Sequence, residues 1–208
     1  MKKIQLMTLV LLFIGFTSCN NDDDTTAPLL EVESQTVLNL YAPQEGGQGQ
    51  PVSGQFTKFD FATGQTTTSG TEWDIAFRGT TIIVNGGISL GTTDEPERTG
   101  NAAAYIANGT MASITDVDVS LFTQDSNTGY AIASGSGNGW YLYDSQVNLI
   151  TPIAGKILVF KTRNGNYVKM EILSYYKDAP SSPDVTVDEG RYFTFNYVYQ
   201  PNEGVITF

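Results

Sequence analysis

The sequence predicts an all-β domain with at most one or two short helices. Residue types that favour strands are abundant, with 11 Tyr and 11 Phe among 208 residues. No long stretch repeats its apolar residues with the helical period. Glycine is also frequent, at 21 residues, as expected for a chain with many tight turns. The individual elements below follow from these three features.

The clearest element is a hairpin between residues 156 and 176. Lys156–Thr162 and Tyr167–Tyr176 flank Asn164-Gly165, and Asn-Gly is the strongest short signal for a hairpin turn. The second strand alternates an apolar face with a charged one: Val168, Met170 and Ile172 against Lys169 and Glu171. The first strand is apolar on both faces at Ile157–Phe160, which predicts a central position covered on both sides.

Further strands are predicted throughout the chain. Arg191–Tyr199 places four aromatic side chains on one face, Phe193, Phe195, Tyr197 and Tyr199. The other predicted strands are Val37–Tyr41, Gln55–Phe61, Glu72–Arg78, Thr80–Asn85 and a short terminal strand at Val205–Phe208. One short helix is predicted at Ala102–Ala107. Loops are predicted at Asn85–Asn101, Ala133–Gly139 and Ser181–Glu189, which are rich in glycine or contain proline.

The beginning of the chain indicates export and lipid attachment. Two lysines precede an apolar run, Leu6–Phe16, which is too short to span a bilayer and is typical of a signal peptide. Two small residues stand directly before Cys19, the only cysteine, so a lipoprotein signal peptidase would leave Cys19 as the acylated first residue. We therefore predict a signal peptide over residues 1–18, a lipidated acidic tether over 19–30 and a single domain over 31–208.

Charge and composition exclude several classes of function. A formal net charge of −11 argues against nucleic-acid binding and against polybasic adhesion to an anionic membrane. The sequence contains no histidine, so it cannot build a Ser-His-Asp or Cys-His nucleophile system or a His-ligated zinc site. Because no other catalytic constellation is visible, we predict a binding protein and not an enzyme.

The order of motifs along the chain is specific enough to resemble a known family. In chain order the motifs are Trp73–Arg78, Asn85–Gly87, Thr110-Met111, Gly139–Tyr141, the 156–176 hairpin with its Ser174–Tyr176 end, and Phe193–Gln200. This series resembles the HmuY family of Bacteroidetes lipoproteins. The resemblance implies an antiparallel β domain, anchored by lipid at the outer membrane or cell surface. It also implies that the domain binds haem and passes it to a TonB-dependent outer-membrane receptor.

The acidic residues after Cys19 have two interpretations. Asp22–Asp24 resemble the surface-export signal of Bacteroidetes-type lipoproteins, and they also suit a solvated spacer.

The segments that carry the iron ligands in that family depart from its pattern here. In better-known members one ligand lies ahead of the Gly-Trp element and the other just after it, as a pair of histidines or, in some relatives, methionines. Thr115–Gly139 and Asp144–Gly155 contain neither His nor Met. The remaining axial candidates are Tyr143, Tyr130 and Met111, because tyrosine and methionine bind haem iron in some proteins. Ordinary packing is the alternative for each of them.

The ligand-pocket candidates follow from the same segments. They are Tyr130, Trp140, Tyr141, Tyr143 and Gln146. We therefore predict a protein that binds haem or a related porphyrin without the usual His or Met axial ligands. Two alternatives remain: the same scaffold holds a different small hydrophobic ligand or a glycan, or it serves as a surface for a protein partner.

Overall fold

The structure is a computed structural model that describes residues 28–47 and 49–208. Within them the strands are β1 (Glu33–Tyr41), β2 (Glu45–Gly47), β3 (Gln50–Ser53), β4 (Thr57–Asp60), β5 (Gln65–Thr67), β6 (Ile75–Arg78), β7 (Thr81–Val84), β8 (Ala103–Asn108), β9 (Tyr141–Asp144), β10 (Leu149–Pro152), β11 (Lys156–Lys161), β12 (Tyr167–Tyr176) and β13 (Gly190–Gln200). The one helical element in this part of the chain is a 3-10 turn at Val119–Leu121. The predicted all-β fold class is confirmed. The predicted signal peptide and Cys19 lie outside the described residues, and the domain boundaries stay predictions.

Antiparallel pairing arranges the strands into two main sheets and two hairpins. The larger sheet has five strands in the order β1-β13-β12-β11-β8, and the smaller has four in the order β5-β4-β6-β7. The hairpins are β9-β10 and β2-β3. The predicted 156–176 hairpin is β11-β12, with Leu158 opposite Met170, so the Asn-Gly turn signal is confirmed.

The core lies between the two main sheets and is rich in aromatic rings. The four aromatic side chains predicted to share one face of β13 are buried there together, Phe193, Phe195, Tyr197 and Tyr199. Phe195 contacts Phe59 of β4 at 5.6 Å and Phe77 of β6 at 5.8 Å, measured between ring centroids. Aromatic pairs at these separations stabilise a fold beyond the apolar area they bury. These contacts fasten the larger sheet to the smaller one.

Strand β11 is covered on both faces, as its apolar run predicts. Leu158 and Phe160 face the core between the sheets. Ile157 and Val159 face the opposite side, where the segment 111–122 covers the sheet. This cover also reaches Lys169 on the charged face of β12, whose Nζ donates a hydrogen bond to the carbonyl of Ile114 at 2.8 Å.

The turn of the β11-β12 hairpin is tied to the smaller sheet by a cluster of charges. The backbone N–H and Nη1 of Arg163 both donate to Oδ1 of Asp74, at 3.0 and 3.1 Å. Its Nη2 donates to Asp60 and Glu72 at 3.2 and 2.9 Å. Burial raises the pKa of Asp74, while hydrogen bonds from the Arg163 and Phe61 backbones oppose the rise. The hairpin turn therefore bridges the two sheets.

Two local predictions differ from the structure. The predicted helix at Ala102–Ala107 is wrong, because Ala103–Asn108 is strand β8 and pairs with β11 along its whole length. Pairing with a buried strand outweighs the helix propensity of alanine here. The predicted terminal strand at Val205–Phe208 is reduced to a single bridge between Thr207 and Asp116.

The contact between the sheets predicts the effect of one core substitution. Phe195→Ala should lower the free energy of unfolding by about 3–5 kcal/mol, because it leaves a cavity between Phe59 and Phe77. Leu173→Ala on β12 is the control, since that side chain is 47% exposed and should change stability by less than about 0.5 kcal/mol. Urea unfolding followed by circular dichroism measures both. Equal losses in the two variants would contradict this account of the core.

Candidate functional site

Two of the predicted pocket residues are buried in the core. Trp140 packs against Tyr175 and Phe193, and its Nε1 donates to the carbonyl of Thr80 at 3.0 Å. The Tyr141 hydroxyl accepts a hydrogen bond from Oγ1 of Thr80 at 3.3 Å. Both side chains therefore fix the beginning of the β9-β10 hairpin against the body of the domain.

Two further predicted pocket residues, Tyr143 and Gln146, are exposed on the β9-β10 hairpin. The Tyr143 hydroxyl donates to Oδ1 of Asn148 at 2.6 Å. Gln146 lies in the turn between β9 and β10, where its backbone N–H donates to Oδ1 of Asp144 at 2.9 Å. These contacts shape the tip of the hairpin.

The axial candidates do not meet in one cavity. Tyr130 packs beside Trp73, and its hydroxyl donates to Oε2 of Glu95 at 3.3 Å; burial raises its pKa. Met111 packs on the outer face of the larger sheet, in the cluster that contains Val159. Tyr143 lies on the β9-β10 hairpin. A role in iron ligation stays a prediction for each.

A cleft at one end of the larger sheet gathers the residues best suited to hold a ligand. It opens where β1 and β12 end and β13 begins, beside β10, and has a volume of about 480 Å³. We call it the tyrosine cleft and define it by Tyr41, Ile150, Tyr175, Tyr176, Arg191 and Tyr192. A neighbouring pocket of about 460 Å³ shares Ile150, Tyr175 and Arg191 with it. Both volumes fall in the range of small-molecule sites.

A larger cleft lies between β1 and the β4-β5 hairpin. Its volume is about 620 Å³, and its described lining residues include no charged side chain. The tyrosine cleft contains Arg191 together with Asp188 and Glu189, so of the two clefts it is the one that offers a cationic group to an anionic ligand.

A bulge near the end of β12 brings two consecutive tyrosines into the tyrosine cleft. The pairing of β12 with β13 shifts register on both sides of Ser174. The Ser174 hydroxyl accepts a hydrogen bond from the Tyr176 backbone N–H at 3.0 Å. In a regular strand neighbouring side chains point to opposite faces, but here Tyr175 and Tyr176 are both buried and both line the cleft.

Contacts with β13 and β10 fix the side chains of Tyr175 and Tyr176. Tyr175 meets Phe193 edge to face, with ring centroids 5.5 Å apart. The Tyr176 hydroxyl accepts a hydrogen bond from the Ile150 backbone N–H at 3.0 Å, which ties β12 to β10. Burial raises the pKa of Tyr175 to about 12, and the nearby Arg191 guanidinium opposes the rise. At neutral pH the Tyr175 side chain is therefore a protonated phenol.

Arg191 provides the positive charge of the tyrosine cleft. Its backbone has φ of 72°, in the left-handed region that non-glycine residues rarely adopt and that clusters at functional sites. Its carbonyl accepts from the Ala42 N–H at 2.8 Å, and its Nη1 donates to the carbonyl of Gln44 at 2.6 Å. A Cβ on the preceding Gly190 would approach the Tyr175 ring to 3.2 Å. The backbone here is thus shaped to place the guanidinium beside Tyr175.

The outer wall of the tyrosine cleft is a stacked pair of rings. Tyr41 and Tyr192 lie with centroids 4.8 Å apart and planes at 29°. Lys177 lies 5.7 Å from the centre of the Tyr192 ring and forms an exposed ion pair with Glu189 at 3.5 Å. Flat aromatic surfaces, an arginine and an open mouth suit a planar aromatic ligand with negative charge.

The donor atoms that the tyrosine cleft offers for axial ligation of haem iron are tyrosine hydroxyls. The chain has no histidine, and Met170 is fully buried in the core. The protonated state of Tyr175 disfavours the phenolate that would bind ferric iron. No group of three or more His, Cys, Asp or Glu residues that could hold a metal occurs among residues 28–47 and 49–208.

Comparison with known proteins assigns the fold to a family. The family model described as HmuY protein matches residues 53–197, so this chain belongs to the HmuY family. No curated protein sequence matches the chain. In the part of the chain that the structure describes, no helix has the length and apolar character needed to cross a membrane.

Three crystal structures are similar. The apo HmuY analog of Tannerella forsythia has a TM-score of 0.52 and 13% identity, covering 85% of this chain and 100% of that one. A Bacteroides fragilis protein described as a lipoprotein gives 0.47 and 13%, covering 84% and 94%. A Bacteroides vulgatus protein described as HmuY-like and heme-binding gives 0.41 and 13%, covering 82% and 93%. At this identity the likeness to the first concerns the fold alone.

The sequence predicts pocket residues on the hairpin beside the tyrosine cleft, but none of the six residues that define the cleft. It places Tyr175, Tyr176 and Arg191 in strands, as the structure does, and the bulge and the left-handed backbone are what bring them into the cleft. One signal was available: an arginine that directly follows a glycine at the start of an aromatic strand.

The raised pKa of Tyr175 predicts how stability depends on alkaline pH. Because the folded-state pKa lies above the value of about 10 for an exposed phenol, folding favours the protonated form. Its contribution to stability is complete below about pH 10 and is lost as the pH rises through about 12. The free energy of unfolding of Tyr175→Phe should therefore fall less over this pH interval than that of the parent protein. Urea unfolding at a series of pH values measures both. Tyr143→Phe on the exposed hairpin is the control, and equal pH slopes in Tyr175→Phe and the parent protein would contradict the assignment.

Proposed function

We propose that this protein is an exported, lipid-anchored binding protein that holds haem or a related porphyrin in the tyrosine cleft. The observation that carries the proposal is that Arg191 lines an open cleft together with Tyr41, Tyr175, Tyr176 and Tyr192. Membership of the HmuY family supports the same ligand class. The protein would act by binding and not by catalysis.

Stacking would supply the main attraction in this site. A porphyrin is a flat apolar ring, and the tyrosine cleft offers the Tyr41–Tyr192 pair on its outer wall and Tyr175 against Phe193 inside. Burial of apolar area contributes about 25 cal/mol per Å². A large flat ring can therefore bind usefully without a bond to its metal.

Arg191 would orient the ligand through its carboxylates. Haem and protoporphyrin both carry propionate groups, and a guanidinium binds a carboxylate through charge-assisted hydrogen bonds. Nη1 of Arg191 already donates to Gln44, which fixes the side chain while other N–H groups of its five stay available. Asp188 and Glu189 also line the cleft, so they would repel a carboxylate placed elsewhere along its rim.

The family context suggests where the ligand goes next. We include in the proposal that a TonB-dependent outer-membrane receptor accepts the porphyrin from this protein. The open mouth of the tyrosine cleft leaves one edge of a bound ring accessible, as a transfer between proteins requires.

Comparison of haem with its metal-free form tests the mode of binding. Metal-free protoporphyrin should bind about as tightly as haem, within roughly tenfold, because the contacts are made with the ring and the propionates. Absorbance titration of the Soret band measures haem, and quenching of porphyrin fluorescence measures the metal-free ligand. A spectrum like that of free haem, together with no porphyrin binding, would reject the proposal. Haem binding far tighter than porphyrin binding would instead indicate an iron ligand.

Arg191→Gly is the variant that separates binding from folding in that titration. Glycine adopts the left-handed backbone without strain, so the fold should persist although the bond to Gln44 is lost. Porphyrin affinity should fall roughly tenfold to a hundredfold, as expected for loss of a charge-assisted hydrogen bond. Arg163→Gly is not a suitable control because Arg163 bridges the sheets. Lys161→Gly, at the end of the larger sheet opposite the tyrosine cleft, should leave affinity unchanged.

Lipid attachment has its own test. Cys19→Ser should abolish incorporation of radiolabelled fatty acid, because the chain has no other cysteine. Asn20→Ser is the matched control and should leave the labelling unchanged. Continued labelling of Cys19→Ser would exclude this residue as the lipid site.

A further inference from the structure

The cleft between β1 and the β4-β5 hairpin opens where an edge of each main sheet is free. β1 is an end strand of the larger sheet and β5 an end strand of the smaller one. The volume between them, about 620 Å³, falls in the range of small-molecule sites. We call it the edge cleft. The buried side chains of Leu40 and Phe59 form its floor.

The edge cleft is polar but uncharged. Its polar side chains are amides and hydroxyls, and the half-exposed ring of Tyr41 joins them at the end shared with the tyrosine cleft. The amide and hydroxyl residues are Gln35, Thr36, Asn39, Thr57, Gln65 and Thr66. Since the lining residues that the structure describes carry no charge, neither an anion nor a cation would find a partner there. The lining suits an uncharged ligand that forms hydrogen bonds.

Two of these polar groups are held in place by the protein itself. The Thr57 hydroxyl donates to the carbonyl of Tyr41 at 2.6 Å. The Asn39 side chain donates to Oδ1 of Asp178 at 2.8 Å and accepts from the Asp178 N–H at 2.7 Å. The Asn39 amide is therefore committed to the wall of the edge cleft, while the Thr57 oxygen can still accept a hydrogen bond.

Two glutamines present their amides from opposite walls of the edge cleft. Gln35 lies on β1 and Gln65 begins β5, and both residues are exposed. Gly64, with φ of 66°, lets the β4-β5 turn approach β1 closely, because a Cβ there would lie 2.4 Å from Oε1 of Gln35. Each amide offers two donors and an acceptor oxygen. A ligand hydroxyl, which both donates and accepts, matches such a group.

The shape of β1 disfavours a peptide strand as the occupant. A peptide that extends a sheet pairs with a continuous run of backbone along the edge strand. The pairing of β1 is irregular between Val37 and Leu40, and Asn39 has φ of 55°. The opposite wall offers only the three residues of β5. Irregularities of this kind protect a sheet edge from pairing with another chain.

A neighbouring cleft continues the uncharged surface around β1. Its volume is about 340 Å³, and it shares Gln35 and Thr36 with the edge cleft. The lining residues that the structure describes there are again uncharged and include Ser34 and Asn196. A ligand of several linked units could therefore follow β1 from one cleft into the other.

We infer that the edge cleft binds a neutral oligosaccharide. Sugar hydroxyls pair with the amides of Gln35 and Gln65, and the apolar C–H face of a sugar ring packs against Tyr41 and the floor of the cleft. The inference goes beyond the proposed function and does not depend on it, because these glutamines do not line the tyrosine cleft.

Nuclear magnetic resonance of the 15N-labelled protein tests this site. The neutral probes are maltohexaose, laminarihexaose and xylohexaose; hexagalacturonate is the charged control, and laurate is the apolar one. At least one neutral probe should shift the side-chain NH₂ signals of Gln35 and Gln65. Hexagalacturonate should shift neither, because its carboxylates would lose water without gaining a cationic partner.

A double variant tests the role of the two glutamines. Gln35→Ala with Gln65→Ala should weaken binding of the shifting probe about tenfold, as expected for the loss of amide hydrogen bonds. Gln50→Ala on β3, also at an exposed glutamine, is the matched control and should bind like the parent protein. Porphyrin affinity of the double variant should stay unchanged, so this inference and the proposed function can fail separately.

Four outcomes would overturn the inference. They are no shift with any neutral probe, shifts with laurate alone, hexagalacturonate binding as tightly as the neutral probes, and unchanged oligosaccharide affinity in the double variant.

Discussion

The aromatic contact between the two main sheets is the interaction on which the rest of the structure depends. Phe195 lies between Phe59 and Phe77, and β13, which carries it, pairs with both β1 and β12. The positions of these three strands determine where their ends meet. The tyrosine cleft is built from those ends, and Tyr175 and Tyr176 belong both to the cleft and to the core, so the packing of the core fixes the site.

Two departures from regular strand geometry convert this scaffold into a site. The bulge at Ser174 turns Tyr175 and Tyr176 to the same opening, and the left-handed backbone at Arg191 brings a guanidinium beside them. A fold of this kind can keep its core and alter its ligand chemistry at the strand ends, in agreement with the general separation of fold from function.

The sequence predicts the parts of the structure that depend on local patterns. The β11-β12 hairpin follows from Asn164-Gly165, and the inward face of β13 follows from the period of two. Strand β8 was not predictable because its pairing with β11 overrides the alanines. The tyrosine cleft was not predictable for a related reason. A bulge and a positive φ are set by tertiary pairing, and they hardly change the alternation of apolar and polar residues along the sequence.

The position of β1 has a consequence for the fate of the protein after export. Every strand of both main sheets begins at or after Glu33, and the buried core begins at Leu40. If Cys19 carries the proposed lipid, a protease that cut the chain just before Leu29 would remove that lipid and no part of either sheet. The released domain would keep the tyrosine cleft intact.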